Sequence, residues 1–175
     1  LICGKVSGNM EVLHFDLKVM DEDEGELLFE DFISSVIEQD NTLMNEILIA
    51  TTISGGRHVI YSCDVIEGNK KVSRVKVKGK LETVIETRGE GGYIIGAPSE
   101  GYEIMHGDVN NVGTITADQR QLLMNICKQY DQEEPAITYT KSTDVNLDYR
   151  LTPWEAYNQT DDCLEIMQQY GWKLT

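Results

Sequence analysis

Leu27, Leu28, Phe29, Phe32, Ile33, Val36 and Ile37 recur at helical spacing, with acids on the other positions. A helix with such a stripe needs an apolar surface to cover. Its neighbours in the chain read as strands. Before it, Met10 to Lys18 (MEVLHFDLK) alternates as a half-buried strand does. After it, Ile47 to Thr52 reads as a buried strand, Ser54-Gly55-Gly56 as a turn, and Arg57 to Cys63 as the returning strand. The predicted assembly is therefore one amphipathic helix set against a strand and a glycine-tipped hairpin. Asp21 to Gly25 is read as an acidic turn leading into the helix.

Further along, Leu81 to Thr87 is a predicted strand, Gly89 to Gly92 a turn, and Tyr93 to Ala97 a return stopped by Pro98-Ser99. Asp118 to Tyr130 is a second helix, with Leu122, Leu123, Ile126 and Cys127 on one face and a start at Thr116. This order predicts an α+β fold, a mostly antiparallel sheet flanked by helices. At 175 residues the chain accommodates one well-packed domain with a small appendage. The expected core spans residues 1–131, a polar linker 132–150, and a small helical segment 151–175 built around Trp154, Asp161 to Tyr170 and Trp172. Leu1-Ile2-Cys3-Gly4 has neither an initiator methionine nor the basic region of a signal peptide, so the core is expected to be truncated at its N-terminus.

Charge narrows the class of partner. The net charge of −15 makes the surface as a whole repel polyanions, so any nucleic-acid contact must be local. Lys70, Lys71, Arg74, Lys76, Lys78 and Lys80 form the one dense basic segment, either a nucleic-acid patch or a solvated hairpin or edge strand. No apolar run approaches the ~18 residues of a bilayer span, and no membrane partner is expected. Cys3, Cys63, Cys127 and Cys163 lie far apart with no C-x-x-C pair, which argues for reduced thiols and a cytoplasmic protein.

Three segments carry chemistry at strand ends or turns. His14 and Asp16 share one face of the first strand, His58 follows a Gly-Gly turn, and Glu86 lies on the strand before another glycine-rich turn. Together they offer carboxylates and imidazoles of the kind that hold a divalent metal near a polyphosphate; separately each is an ordinary polar or structural residue. Asp16 and Glu86 suit Mg2+ or Mn2+, and His14 tilts the set towards Mn2+. At the turn, Gly55 and Gly56 admit an anion close to the backbone, or simply close a hairpin, while Arg57 and His58 can hydrogen-bond phosphate oxygens.

The order MEVLHFD, TTISGGRH, VIETRGEGGYIIGAPSEGY, a helix, then TPWEAYNQTDDCLEIMQQYGW resembles the primase-polymerase domains of the archaeo-eukaryotic primase superfamily, as found in phage and mobile-element replication proteins. The resemblance implies a DNA primase/polymerase-type nucleotidyltransferase that uses nucleoside triphosphates on a DNA template. It implies catalytic roles for Asp16, His58 and Glu86, with metal held by His14, Asp16 and Glu86. Nucleotide contacts are implied for Ser54, Gly56, Arg57, His58 and Arg88. The tail resembles the segment that joins such a domain to a downstream helicase-type ATPase. Where the family usually has its first aspartate this chain has His14, and a neutral imidazole adds no negative charge for holding cations. The alternative implied by that exchange is a catalytically impaired nucleotide- or DNA-binding module that positions the helicase.

Overall fold

The computed structural model describes residues 1–133. The expected helical segment over 151–175, and the linker beyond position 133, lie outside the described residues. Six strands, β1 (Met10–Phe15), β2 (Leu48–Thr51), β3 (Arg57–Ser62), β4 (Lys70–Val77), β5 (Lys80–Arg88) and β6 (Ile104–His106), form one sheet in the order β4-β5-β1-β3-β2-β6. Every neighbouring pair is antiparallel. With helices α1 (Glu22–Asp40) and α2 (Ala117–Lys128), this is the α+β architecture the sequence predicts.

β1 is buried on both faces, and its alternation divides the molecule. Leu13 and Phe15 join Val59, Tyr61 and Ile85 in a core that also takes Leu28, Phe29, Phe32 and Val36 of α1 and Leu123, Ile126 and Cys127 of α2. Both helices thus cover one face. Val12 points the other way, into a smaller cluster with Cys3, Met10, Leu48, Ile60 and Ile94. Cys3, Cys63 and Cys127 are free and buried in these layers.

The expected acidic turn is instead the start of α1, with Glu22, Asp23 and Glu24 in its first turn. Carboxylates there are favoured by the partial positive charge of the helix N-terminus. Leu27 and Ile37 belong to the predicted stripe but are exposed, because the face that meets the sheet is the narrower set Leu28, Phe29, Phe32 and Val36. α2 begins where expected, on a Thr116 capping box in which Gln119 N–H donates to Thr116 Oγ1 at 3.2 Å and Thr116 N–H to Gln119 Oε1 at 3.0 Å.

Tyr93 to Ala97 is not a returning strand. β5 already has β4 on one side and β1 on the other, so no edge is left for it to pair with. The segment instead meets the N-terminal residues: Cys3 N–H donates to Gly92 O and Ile94 N–H to Leu1 O, each at 2.9 Å. The lysine segment is the edge strand β4, turned into β5 through Lys78 and Gly79, both at positive φ. Its outer edge is partly covered, since Gln132 N–H donates to Arg74 O at 2.7 Å and Lys76 N–H to Gln132 Oε1 at 2.8 Å. Among the described residues no helix is long and apolar enough to cross a membrane.

Candidate functional site

Strand register brings the three chemical segments together. On β1, His14 lies directly opposite His58 of β3 on one side and Glu86 of β5 on the other. The row continues outward to Ala50 on β2 and Lys71 on β4. Because these positions alternate with Leu13 and Phe15, the row sits on the sheet face away from the helices. Asp16 follows β1 and stays beside β5, its N–H donating to Val84 O at 2.8 Å.

The two imidazole rings are 5.0 Å apart between centroids and tilted by 51°. Tyr102 stacks on His58 at 6.3 Å with an interplanar angle of 22°. Burial lowers the pKa of His58 to about 4, helped by the neighbouring His14 and Arg88. Burial lowers that of His14 as well, against the opposing pull of the Glu86 and Asp16 carboxylates. Both rings are neutral at pH 7, and each keeps a buried Nδ1 with no hydrogen-bond partner. A neutral imidazole offers one donor and one acceptor, so these atoms suit a ligand oxygen that approaches them.

The carboxylates are turned elsewhere. Glu86 pairs with Arg88, two residues along the same strand, and Asp16 Oδ1 lies 3.3 Å from Lys18 Nζ. Among the described residues, no three His, Cys, Asp or Glu side chains converge so as to hold a metal ion. His14 Nδ1 is a buried polar atom without a hydrogen bond, as a cation site would leave it, but Asp16 Oδ1 faces the Lys18 ammonium and Glu86 is paired with Arg88, so neither carboxylate completes the set. As arranged, these residues do not fit a Mg2+ or Mn2+ centre.

The turn also divides its residues between the two faces. His58 faces the row, whereas Arg57 points to the helix side, where its Nη2 donates to both Glu26 oxygens at 2.7 and 2.6 Å and its Nη1 to Gly55 O at 2.6 Å. Its guanidinium carbon also lies 5.6 Å from the centroid of the Phe29 ring. The cleft that Arg57 lines, about 320 Å3, carries Lys18 as well as Glu22 and Glu26, and with Arg57 held by Glu26 it has no excess of positive charge for a phosphate. Gly56 has a packing reason of its own: a Cβ there would collide with the Phe15 carbonyl oxygen. Ser54 is shared, lining this cleft and the one over the histidines.

That second cleft, about 480 Å3, is lined by His14, His58, Ser54 and Arg88, and also by Lys18 and Asn69. Lys18, Asn69, Tyr93 and Tyr102 are among the lining residues that sequence reasoning did not assign to the site. Lys18 follows the His14 and Asp16 motif closely, and Tyr93 ends the Gly-Gly-Tyr piece, so both lay within segments already singled out. Tyr102 closes the quoted VIETRGEGGYIIGAPSEGY run without having been given a role, whereas nothing in the sequence marks Asn69, which reaches the cleft only through folding. In comparison with known proteins, no family model matches this chain and no curated protein matches it.

Proposed function

We propose that this chain is a primase-polymerase-type domain of a replication protein, which binds a nucleoside triphosphate in the cleft over the histidine row and presents it to a DNA template. One observation carries the reading. Three segments far apart in sequence, each chosen for its residue types, meet in adjacent strands as the row His58, His14 and Glu86, with Asp16 beside it. Around them the cleft offers Lys18 and Arg88, which would exchange their Asp16 and Glu86 partners for phosphate oxygens, and two neutral imidazoles. Binding and positioning of the nucleotide is the function this donor set serves; such a module acts in the cytoplasm and precedes a helicase-type ATPase in the longer chain.

Nucleotidyl transfer is the chemistry the resemblance implies, with Mg2+ or Mn2+ as its cofactor. The Glu86–Arg88 pair and the imidazole of His14 favour the second reading, a domain that binds nucleotide without turning it over. The test is template-directed nucleotide incorporation by the natural chain and by His14→Asp, in magnesium and in manganese, alongside nucleotide binding to both. Incorporation by the natural chain establishes the enzyme. Incorporation only by His14→Asp establishes a binding module with a disabled centre. Neither incorporation nor nucleotide binding by either chain overturns the proposal.

A further inference from the structure

The lining of the histidine cleft is of two kinds. Lys18, Arg88 and the imidazoles are polar, whereas Ile53, Ile95 and Tyr93 are apolar side chains that the fold leaves exposed at 71%, 59% and 75%. Tyr93 is exposed without being loose at its backbone. The chain on either side of it is held by the Cys3 to Gly92 and Ile94 to Leu1 hydrogen bonds, and Gly91 turns there at a φ of 75°. Tyr102 enters the same cleft with its ring already stacked on His58. An aromatic ring stacked on His58 and an exposed one, beside cations and unpartnered buried imidazole nitrogens, match the two halves of a nucleotide: an aromatic base and an anionic tail.

We propose that Tyr93 and Tyr102 form a nucleobase subsite within this cleft. Tyr102 is the platform, because its ring already lies nearly parallel to that of His58 across the cleft, 6.3 Å away between centroids. Tyr93 supplies a second π face, and Ile53 and Ile95 extend the apolar border. Stacking of this kind accepts any base, since every base has a π face. The base can come from a free nucleotide or from a DNA strand, and the inference rests on the proposed nucleotide-binding role of the cleft.

The test is calorimetric titration of the full chain with deoxyadenosine triphosphate, inorganic tripolyphosphate and a short oligothymidine. The same titrations are made on Tyr93→Leu, Tyr93→Phe, Tyr102→Leu and Tyr102→Phe, each checked for an unchanged unfolding midpoint. The leucine variants are expected to bind the nucleotide about tenfold more weakly and tripolyphosphate unchanged, while the phenylalanine variants keep both affinities. If the leucine variants weaken only the oligonucleotide, the base belongs to DNA and the subsite stands. Equal loss for nucleotide and tripolyphosphate, or no loss for any ligand, overturns the subsite. Natural chain that binds nucleotide and tripolyphosphate equally well, with oligonucleotide binding untouched by the leucine variants, also overturns it but leaves the phosphate cleft intact, whereas natural chain that binds neither removes the proposed function itself.

Discussion

His58 makes the stability of the domain depend on pH in a defined direction. Its pKa in the folded chain is about 4, against 6.5 for a free imidazole, because the ring is buried to 3% exposure and sits beside His14 and Arg88. Below pH 6.5 the unfolded chain therefore binds a proton that the folded chain refuses. The stabilisation is complete above pH 6.5 and is lost as pH falls towards 4, a loss approaching about 3 kcal/mol. Urea unfolding midpoints measured across that range are expected to fall steeply for the natural chain. His58→Gln, which cannot take up the proton, should flatten the curve, with His14 supplying the remaining slope because its pKa is lowered too. Parallel curves for the two proteins would show that the ring is neutral for free and that its burial carries no proton linkage.

Between elements, a buried ion pair joins α2 to the sheet. Glu11 of β1 is fully buried and accepts from Arg120 Nε at 2.6 Å, Arg120 Nη2 at 2.9 Å and the Tyr61 hydroxyl at 2.8 Å. Arg120→Met leaves that carboxylate buried without its cation, a change that costs about 3–5 kcal/mol in stability. Glu11→Gln combined with Arg120→Met removes the charge while keeping an acceptor for Tyr61, and should recover much of the loss in urea melts; a double variant as unstable as the single one would mean that the guanidinium acts through packing rather than charge. Nothing in the sequence announces this tie. Glu11 alternates with Met10 and Val12 like any outward polar residue, and Arg120 lies on a helix more than a hundred positions away. What was legible was local: the stripe of α1, the Thr116 start of α2, and the glycine-tipped turn between β2 and β3. The same division runs through the site. His14, His58 and Glu86 stood out as residue types at strand positions, whereas the departure of Arg57 to Glu26 and the arrival of Tyr102 over His58 follow from tertiary packing alone.

At the scale of the whole molecule, thirty acidic residues against fifteen basic ones set a repulsive field for DNA, and the exception is concentrated at one sheet edge. β4, its turn and the first residue of β5 hold Lys70, Lys71, Arg74, Lys76, Lys78 and Lys80, and the strand order places that edge two strands from His14, with Lys71 in line with Glu86. Some of this charge is already engaged: Lys70 Nζ lies 2.5 Å from Glu67 Oε1, and Arg74 pairs with Glu133. Lys71, Lys78 and Lys80 are exposed and do not line the histidine cleft, so replacing them tests the proposed DNA contact apart from the proposed nucleotide binding. Replacing the three by serine is expected to weaken single-stranded DNA binding and to reduce the slope of log affinity against log salt by about 2, since each neutralised phosphate contributes roughly 0.7 for a single strand. Nucleotide affinity, read by titration on the same variant, should stay unchanged. An unaltered salt slope would move the DNA contact off this edge and onto the cleft cations Lys18 and Arg88, where the template and the nucleotide would then share one electrostatic site.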